Sequence, residues 1–447
     1  MATTHNDKRN RLEKFLALFS DIRAGEGWGA LVLAADIFCL FASYYLLKTA
    51  RESLVLSEGG AEVKSYAAAA QALILLGAVP LYGFVASRVG RSRLINGVML
   101  FFVSHLVLFY AFAVYGVRIG VAFFLWVGVF NLMIVAQFWA FANELYTVDR
   151  GQRLFPLVGV GGSLGALVGA RAASKLMAAH LKPADLLLVA GIGLLVCVGL
   201  NYCVTRRAAV PGTLHREDDD RPLKRDGGLQ LILSDRYLGL IAVLVILVNV
   251  VNTTGEYLLG RLVVTEATRA IASGTAGGFS KSQLIGIFYG DYFGWVNLVS
   301  LLIQLLLVSR LFKWIGVGRS LFVLPLIALG SYGLLAVLPI LGAVRLGKIL
   351  ENSTDYSLNN TARHALFLPT SREAKFKAKQ AIDALCWRIG DLLQAAVVFA
   401  GTRLAFGVRQ FALMNELLVL LSVVVVVAIN REYKRQITTV DAERCAA

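Results

Sequence analysis

The sequence predicts an all-α, polytopic membrane protein with twelve transmembrane helices in two pseudo-symmetric bundles of six. Three observations carry that expectation: an apolar composition, a ladder of apolar runs of membrane length, and short echoes between the two halves. Of 447 residues, 57% are hydrophobic and 16% charged, and the mean hydropathy is +0.67. Soluble domains carry about 25% charged residues, so an ordinary water-soluble fold is excluded.

Apolar runs lie near 28–47, 66–86, 94–115, 120–142, 155–178, 186–204, 237–259, 284–309, 320–338 and 411–430. Each approaches the ~20 residues that a helix needs to cross the hydrocarbon core. Two more polar stretches, 343–368 and 381–404, complete the twelve. The first span is expected to run on to about Leu56, carrying Lys48, Arg51 and Glu52 inward. Residues 1–27 are polar and basic, unlike a cleavable leader.

Lys and Arg concentrate in alternate loops. Segments 1–27, 87–93, 143–153, 206–236, 310–319, 370–379 and 431–447 hold 28 of the 44, which by the positive-inside rule places both termini in the cytoplasm. The expected organisation is a cytoplasmic segment 1–27, a bundle 28–205, a cytoplasmic linker 206–236, a second bundle 237–430 and a cytoplasmic tail 431–447, in the cytoplasmic membrane. The net charge of +15 therefore reflects topology and anionic lipid, with the bilayer as partner and no nucleic acid. Cys39, Cys197, Cys203, Cys386 and Cys445 have no metal-ligand spacing and read as free thiols, and no metal or cofactor is expected.

The halves echo one another. Gly90 and Arg93 recur 226 residues on as Gly316 and Arg319, and Val117, Arg118 and Gly120 recur as Val344, Arg345 and Gly347. Lys48 to Glu52 is likewise matched by Asn252 to Glu256, late in the first span of each half. Duplicated six-helix halves with a midplane binding site are the usual build for alternating access.

Charge supplies the candidate site. On 343–368, Arg345, Lys348, Glu351, Asn352, Asp355, Asn359 and Arg363 fall within roughly 120° at helical spacing, a polar stripe at membrane depth. On the first span, Tyr44, Lys48, Arg51 and Glu52 share about 100°, and Asn249, Asn252 and Glu256 share a face of the seventh. Lys and Arg together suit polyphosphate, and Tyr44, Tyr45, Trp139, Tyr289 and Tyr356 offer rings for a base. The opposing reading is that Lys48 and Arg51 snorkel or pair with Glu52 and Glu62, and that the stripe is a self-satisfied packing network. Asp383, Arg388 and Asp391 read as an ion-paired cluster on the cytoplasmic side. Gly159, Gly161, Gly162, Gly165 and Gly169 follow no strand and sit inside an apolar span, which favours close helix packing over a phosphate loop. No Walker sequence or nucleophile–base pair appears, so no enzyme is expected.

Several motifs resemble known families. GFVASRVGRSR (Gly83 to Arg93) resembles the loop signature after the second helix of the major facilitator superfamily, with Ser87 where an acidic residue is usual. Three further stretches, Tyr44 to Tyr66, Phe141 to Leu167 and Asp355 to Asp383, are similar to the ATP/ADP translocase family of nucleotide transporters. That resemblance implies a facilitator-like fold and exchange of nucleotides such as ATP and ADP. It also implies nucleotide contacts for Arg51 in the first-helix motif and for Lys375, Lys377 and Lys379 in the Lys-x-Lys-x-Lys-x-Ala-Ile-Asp run. The sequence departs from the nucleotide carriers where acidic residues are usual, with apolar residues near Val127 and an amide at Asn252.

The expected function is thus secondary transport of an anionic small molecule, a nucleotide first. Lys48, Arg51, Tyr44, Asn252, Glu256, Lys348, Glu351, Asp355, Asn359, Lys377 and Lys379 are expected to bind substrate, with Glu52, Asp291 and His364 as coupling groups. One alternative is a proton-coupled carrier of another organic anion, using Glu52, Glu256, Asp291 or Asp355. The other is a non-transporting membrane scaffold or sensor.

Overall fold

The computed structural model describes residues 22–23, 26–86, 91–146, 148–207, 228–371 and 373–446, and among them every regular element is helical. The Gly83 to Arg93 loop at 87–90, nearly all of 1–27 and most of the expected linker 206–236 lie outside the described residues. The first element, α1 (Gly27–Ala86), merges the first two expected spans. Its apolar part is 52 residues long, about 78 Å at 1.5 Å per residue, more than twice the ~30 Å hydrocarbon core. The chain turns at Gly60, whose φ of 78° is left-handed and suits a residue without a Cβ.

There follow α2 (Arg91–Val114), α3 (Gly120–Leu145), α4 (Val148–Ala178), α5 (Asp185–Arg207), the short α6 (Gly228–Ser234), α7 (Arg236–Ala272), α8 (Lys281–Leu306), α9 (Val308–Ser320) and α10 (Val323–Val337). Asp235 caps α7, its carboxylate accepting from the backbone N–H of Tyr237 and Leu238 at 2.7 and 3.3 Å. The polar stretch forms α11 (Leu341–Thr354), a π turn at Asp355–Asn359 and α12 (Asn360–Ala365). Two more π turns, Ala374–Ala378 and Ile382–Cys386, flank α13 (Lys379–Ala381) before α14 (Trp387–Arg403) and α15 (Val408–Ala446).

Among the described residues nine helices are long and apolar enough to cross a membrane, ten if α9 and α10, bent by 75° at their break, count as one. The charged α11, 14 residues long, is too short to enter that count. The protein is a multi-pass membrane protein.

The chain divides into two compact units that are not the two sequence halves. The first comprises Met1–Glu58, Ile74–Asp218 and Gly274–Gly294; the second Gly59–Leu73, Asp219–Ser273 and Trp295–Ala447. The first unit's core is aromatic at α2 and α3, where Trp126 stacks on Phe123 and Phe130 with ring centroids 5.7 and 5.5 Å apart. The glycines of α4 are its seam with α1. A Cβ at Gly161, Gly165 or Gly169 would collide with the carbonyl oxygens of Ala34, Phe38 or Ala42. The helix-packing reading holds for these three glycines of the run, whereas Gly159 faces open space. In the second unit α7 packs against α11, α14 and α15, and α10 against α11 and α15.

Candidate functional site

Each unit holds its own cluster of ionic side chains at membrane depth. In the first, the Lys48 ammonium stands 4.3 Å from the centre of the Phe293 ring and 5.1 Å from that of Tyr45. Contacts of this kind favour a part-buried cation by about 1 kcal/mol. The rings form a chain: Tyr44 meets Tyr45 at 5.4 Å, Tyr45 meets Phe293 at 6.0 Å, and Phe293 meets Tyr289 at 5.7 Å. Trp139 instead packs between Phe138 and Phe155, and Tyr356, in the second unit, is exposed. The five aromatic residues do not make one platform.

One turn on, the Arg51 guanidinium donates to the Glu52 carboxylate at 2.6 Å and lies over the Phe124 ring at 4.5 Å. The pairing weighed against Lys48 and Arg51 is therefore realised for Arg51. Asp291, expected as a coupling group, accepts from Arg171 of α4, so it is half of an ion pair.

The second unit gathers the polar stripe into a network. Lys348 is 2% and Glu351 3% exposed, and they pair at 3.1 Å. The same ammonium donates to Asn252 Oδ1 at 2.7 Å and to the Asn252 carbonyl at 3.1 Å. Glu351 also accepts from the Tyr332 hydroxyl at 3.0 Å. Glu256 accepts from Asn352 at 2.8 Å and faces Lys64 at 3.9 Å. Asn359 donates to Asp355 at 2.7 Å. Six of the expected residues, Asn252, Glu256, Lys348, Glu351, Asp355 and Asn359, thus make polar contacts inside this unit, four of them around Lys348 and Asn352.

Other expectations separate from it. The π turn at Asp355–Asn359 inserts a residue, which offsets the following face by about 100°. Arg363 lies over the Trp387 ring at 5.1 Å and donates to Asn360 at 3.0 Å, while its charge still acts on Asp355 of the stripe. His364 is exposed, with the charges of Lys379, Arg363 and Asp383 around it. Lys377 and Lys379 are half-buried on the π-bulged stretch before α14. Arg388 pairs with Asp391 at 3.3 Å, and Asp391 accepts from Asn249 at 2.9 Å; Asp383 is exposed, apart from that pair.

Several partners are not legible in the sequence: Phe293 and Phe124 as cation-bearing rings, Arg171, Lys64 and Tyr332. They come from distant chain positions and carry no local signal. Asp36 does carry one, a carboxyl in the first apolar run.

This arrangement of buried cation–carboxylate pairs in apolar helices suits a carrier of anions. The sequence pattern of the TLC ATP/ADP transporter family matches residues 121–258 and 292–434, well over half of the chain. The chain belongs to that family. Its relatives include ADP,ATP carrier protein 2, chloroplastic, of Arabidopsis thaliana, 24% identical over 292 residues, covering 58% of this chain and 45% of that protein. ADP,ATP carrier protein 1 of Chlamydia trachomatis is 25% identical over 301 residues, covering 58% and 54%. The chain thus spans about half the length of these carriers. ADP,ATP carrier protein 1 of Rickettsia bellii is 21% identical and matches end to end, 97% of this chain and 98% of that protein.

Among solved structures, the nucleoside transporter NupG superposes with a TM-score of 0.60 at 11% identity, covering 91% of this chain and 99% of its own. A POT peptide transporter in complex with sulfate gives 0.62 at 12%, covering 94% and 99%. This chain shares the all-α fold of these two structures.

Proposed function

We propose that this family member is a secondary transporter that exchanges nucleotides such as ATP and ADP across the cytoplasmic membrane, with both termini in the cytoplasm, by alternating access. The observation that carries this reading is that each unit sets a cation against a buried carboxylate, the part-buried Arg51 with Glu52 and the fully buried Lys348 with Glu351. Burying such a pair costs desolvation that its attraction scarcely repays, so stability alone does not account for it. An exchanger gains from it, because the carboxylate keeps the cation partnered while no substrate is bound. A phosphate group then displaces the carboxylate.

Arg51 presents a forked set of donors that matches two phosphate oxygens, while Lys348 and Lys48 act as point charges. The rings beside Lys48 suit a base or ribose edge. The names of the carriers related to this chain along its whole length support ADP and ATP as the pair exchanged. Lys377 and Lys379, part of the basic run before α14, belong to the same proposal as phosphate contacts, as do Tyr44, Asn252, Glu256, Asp355 and Asn359 as lining groups.

Purified protein in liposomes loaded with ADP is expected to take up labelled ATP, and empty liposomes are expected not to. Absence of counter-exchange, with or without a pH gradient, rejects the nucleotide reading. Arg51→Ala and Lys348→Ala are expected to lower uptake and to reduce the thermal stabilisation that ATP gives the wild type.

A further inference from the structure

Asp36 is a carboxyl that neither ion cluster uses. It lies in α1, nine residues past Gly27 and twelve before Lys48, which places it about 13 Å into the helix and about 18 Å along it from Lys48. Its exposure is 1%, and neither carboxylate oxygen has a hydrogen-bond partner. The titratable groups facing it are two thiols, Cys39 on its own helix and Cys197 on α5. The Cys197 thiol donates weakly, at 3.6 Å, to the backbone carbonyl of Asp36. Helix α4 packs along the same helix, with Gly161, Gly165 and Gly169 against Ala34, Phe38 and Ala42. Among the described residues no cation acts on the Asp36 carboxyl.

An ionised carboxylate without partner or counter-ion in such a setting costs far more than the protein's margin of stability, whereas the neutral acid costs a few kcal/mol at most. A metal ion is a poor alternative, since hard cations need six or more oxygen ligands and the neighbours are thiols. Among the described residues no group of three His, Cys, Asp or Glu side chains is arranged to hold a metal. What remains to neutralise the carboxyl is a proton. An apolar side chain would pack α1 against α5 without this burden, so an acid here points to use of the titration.

We propose that Asp36 is a proton-binding site of the transporter, separate from the ion clusters, whose occupancy holds α1 against α5. The ligand is H⁺ itself. Binding is single-site: the proton forms one O–H bond at the carboxyl and leaves to water when that seam is opened or the medium is alkaline. The site makes the transport cycle sensitive to pH whatever the cargo, so its test does not depend on the nucleotide reading.

Dicyclohexylcarbodiimide, an apolar reagent that attacks protonated carboxyls in apolar surroundings, is expected to modify Asp36 in the full-length protein near neutral pH. Peptide mass spectrometry would read the adduct, and labelling should fall as the medium is made alkaline. The wild-type unfolding temperature is expected to carry a downward slope from about pH 4 to about pH 7, because over that range the folded state holds a proton that the unfolded state has lost. Asp36→Asn, which keeps the shape of the neutral acid, is expected to remove that slope. A Cys39→Ala/Cys197→Ala variant is expected to retain it. No adduct at Asp36 when other carboxyls are labelled overturns the proposal, as does an unchanged slope in Asp36→Asn or one lost only with the thiols. If Asp36→Asn does not fold, labelling of the wild type and of the double thiol variant decides.

Discussion

Replacing Lys348 by Met keeps the aliphatic stem that packs beside Gly255 and removes only the ammonium. Glu351, 3% exposed, then loses its countercharge at 3.1 Å and keeps the single hydrogen bond from Tyr332. Asn252 loses the donor to both its side-chain and backbone oxygens. Removing one partner of a buried pair costs about 3–5 kcal/mol, and the surviving Tyr332 bond argues for the lower end, about 3 kcal/mol. Replacing both members by neutral groups of similar volume is nearly neutral. Lys348→Met/Glu351→Gln should therefore recover most of the loss, since Tyr332 can still donate to the glutamine oxygen. Denaturant unfolding in one detergent gives the stability of wild type, both singles and the double, while vesicle uptake gives their activity. A Lys348→Met loss below about 1 kcal/mol, or a double no more stable than the single, refutes the buried-pair account. A double variant that folds and exchanges at the wild-type rate refutes the role of the cation in binding.

Gly165→Val places a branched side chain against the Phe38 carbonyl, where even a Cβ does not fit, and is expected to cost at least about 1–3 kcal/mol. Gly159→Ala, with open space at that position, is the neutral control, and yields of folded monomer compare the two. At the start of α1, Glu26 pairs with Arg153 at 2.9 Å and Arg150 at 3.2 Å. Burial alone would raise its carboxyl, yet hydrogen bonds from Arg153 and the Arg23 N–H, with the charges of both arginines, bring it below its ordinary value of 4.5. Its contribution to stability is thus complete above that value and lost as pH falls through the folded one. Glu26→Gln is expected to flatten the acid limb of unfolding temperature against pH below about 4.5, and an unchanged limb refutes the assignment. If the cargo is ATP against ADP, one net charge moves per cycle. Voltage should then bias exchange by about 2.3 kcal/mol per 100 mV, roughly fifty-fold in the ratio reached, as read in potassium-clamped vesicles.

How far the sequence carries depends on the range of the physics involved. Spans are local, set by apolar length, and so is the stripe on α11, set by helical period; both are legible. Lys348 and Glu351 even meet at the i, i+3 spacing that a helix dictates. The glycine seam of α4 is legible because small residues recur within one apolar span. The break at Gly60 falls in the gap expected between the first two spans, whereas the π turn at Asp355–Asn359 leaves no periodic signature and is not legible. Arg171 with Asp291 and Lys64 with Glu256 join residues 120 or more positions apart, which a single sequence cannot pair. Asp36 differs from all of these, since a lone carboxyl in the first apolar run is visible from composition alone.

The distribution of charge within the fold follows from that contrast. The echo that matches Lys48 to Glu52 with Asn252 to Glu256 keeps the carboxylate in both halves but puts the cation on α1 in the first and on α11 in the second. Lys348 reaches back to Asn252, the residue that stands where Lys48 does. If the halves are duplicates, what is kept is the place of the charge beside the helix rather than the residue bearing it. A Lys348→Met protein carrying Asn252→Lys tests this directly, because it returns the ammonium to the backbone position that Lys48 occupies in the other half. Partial recovery of stability and of ATP-induced thermal shift is the expected outcome. If Asn252→Lys only deepens the defect, the second unit requires the approach of the cation from α11, and the likeness between the halves stops at the backbone.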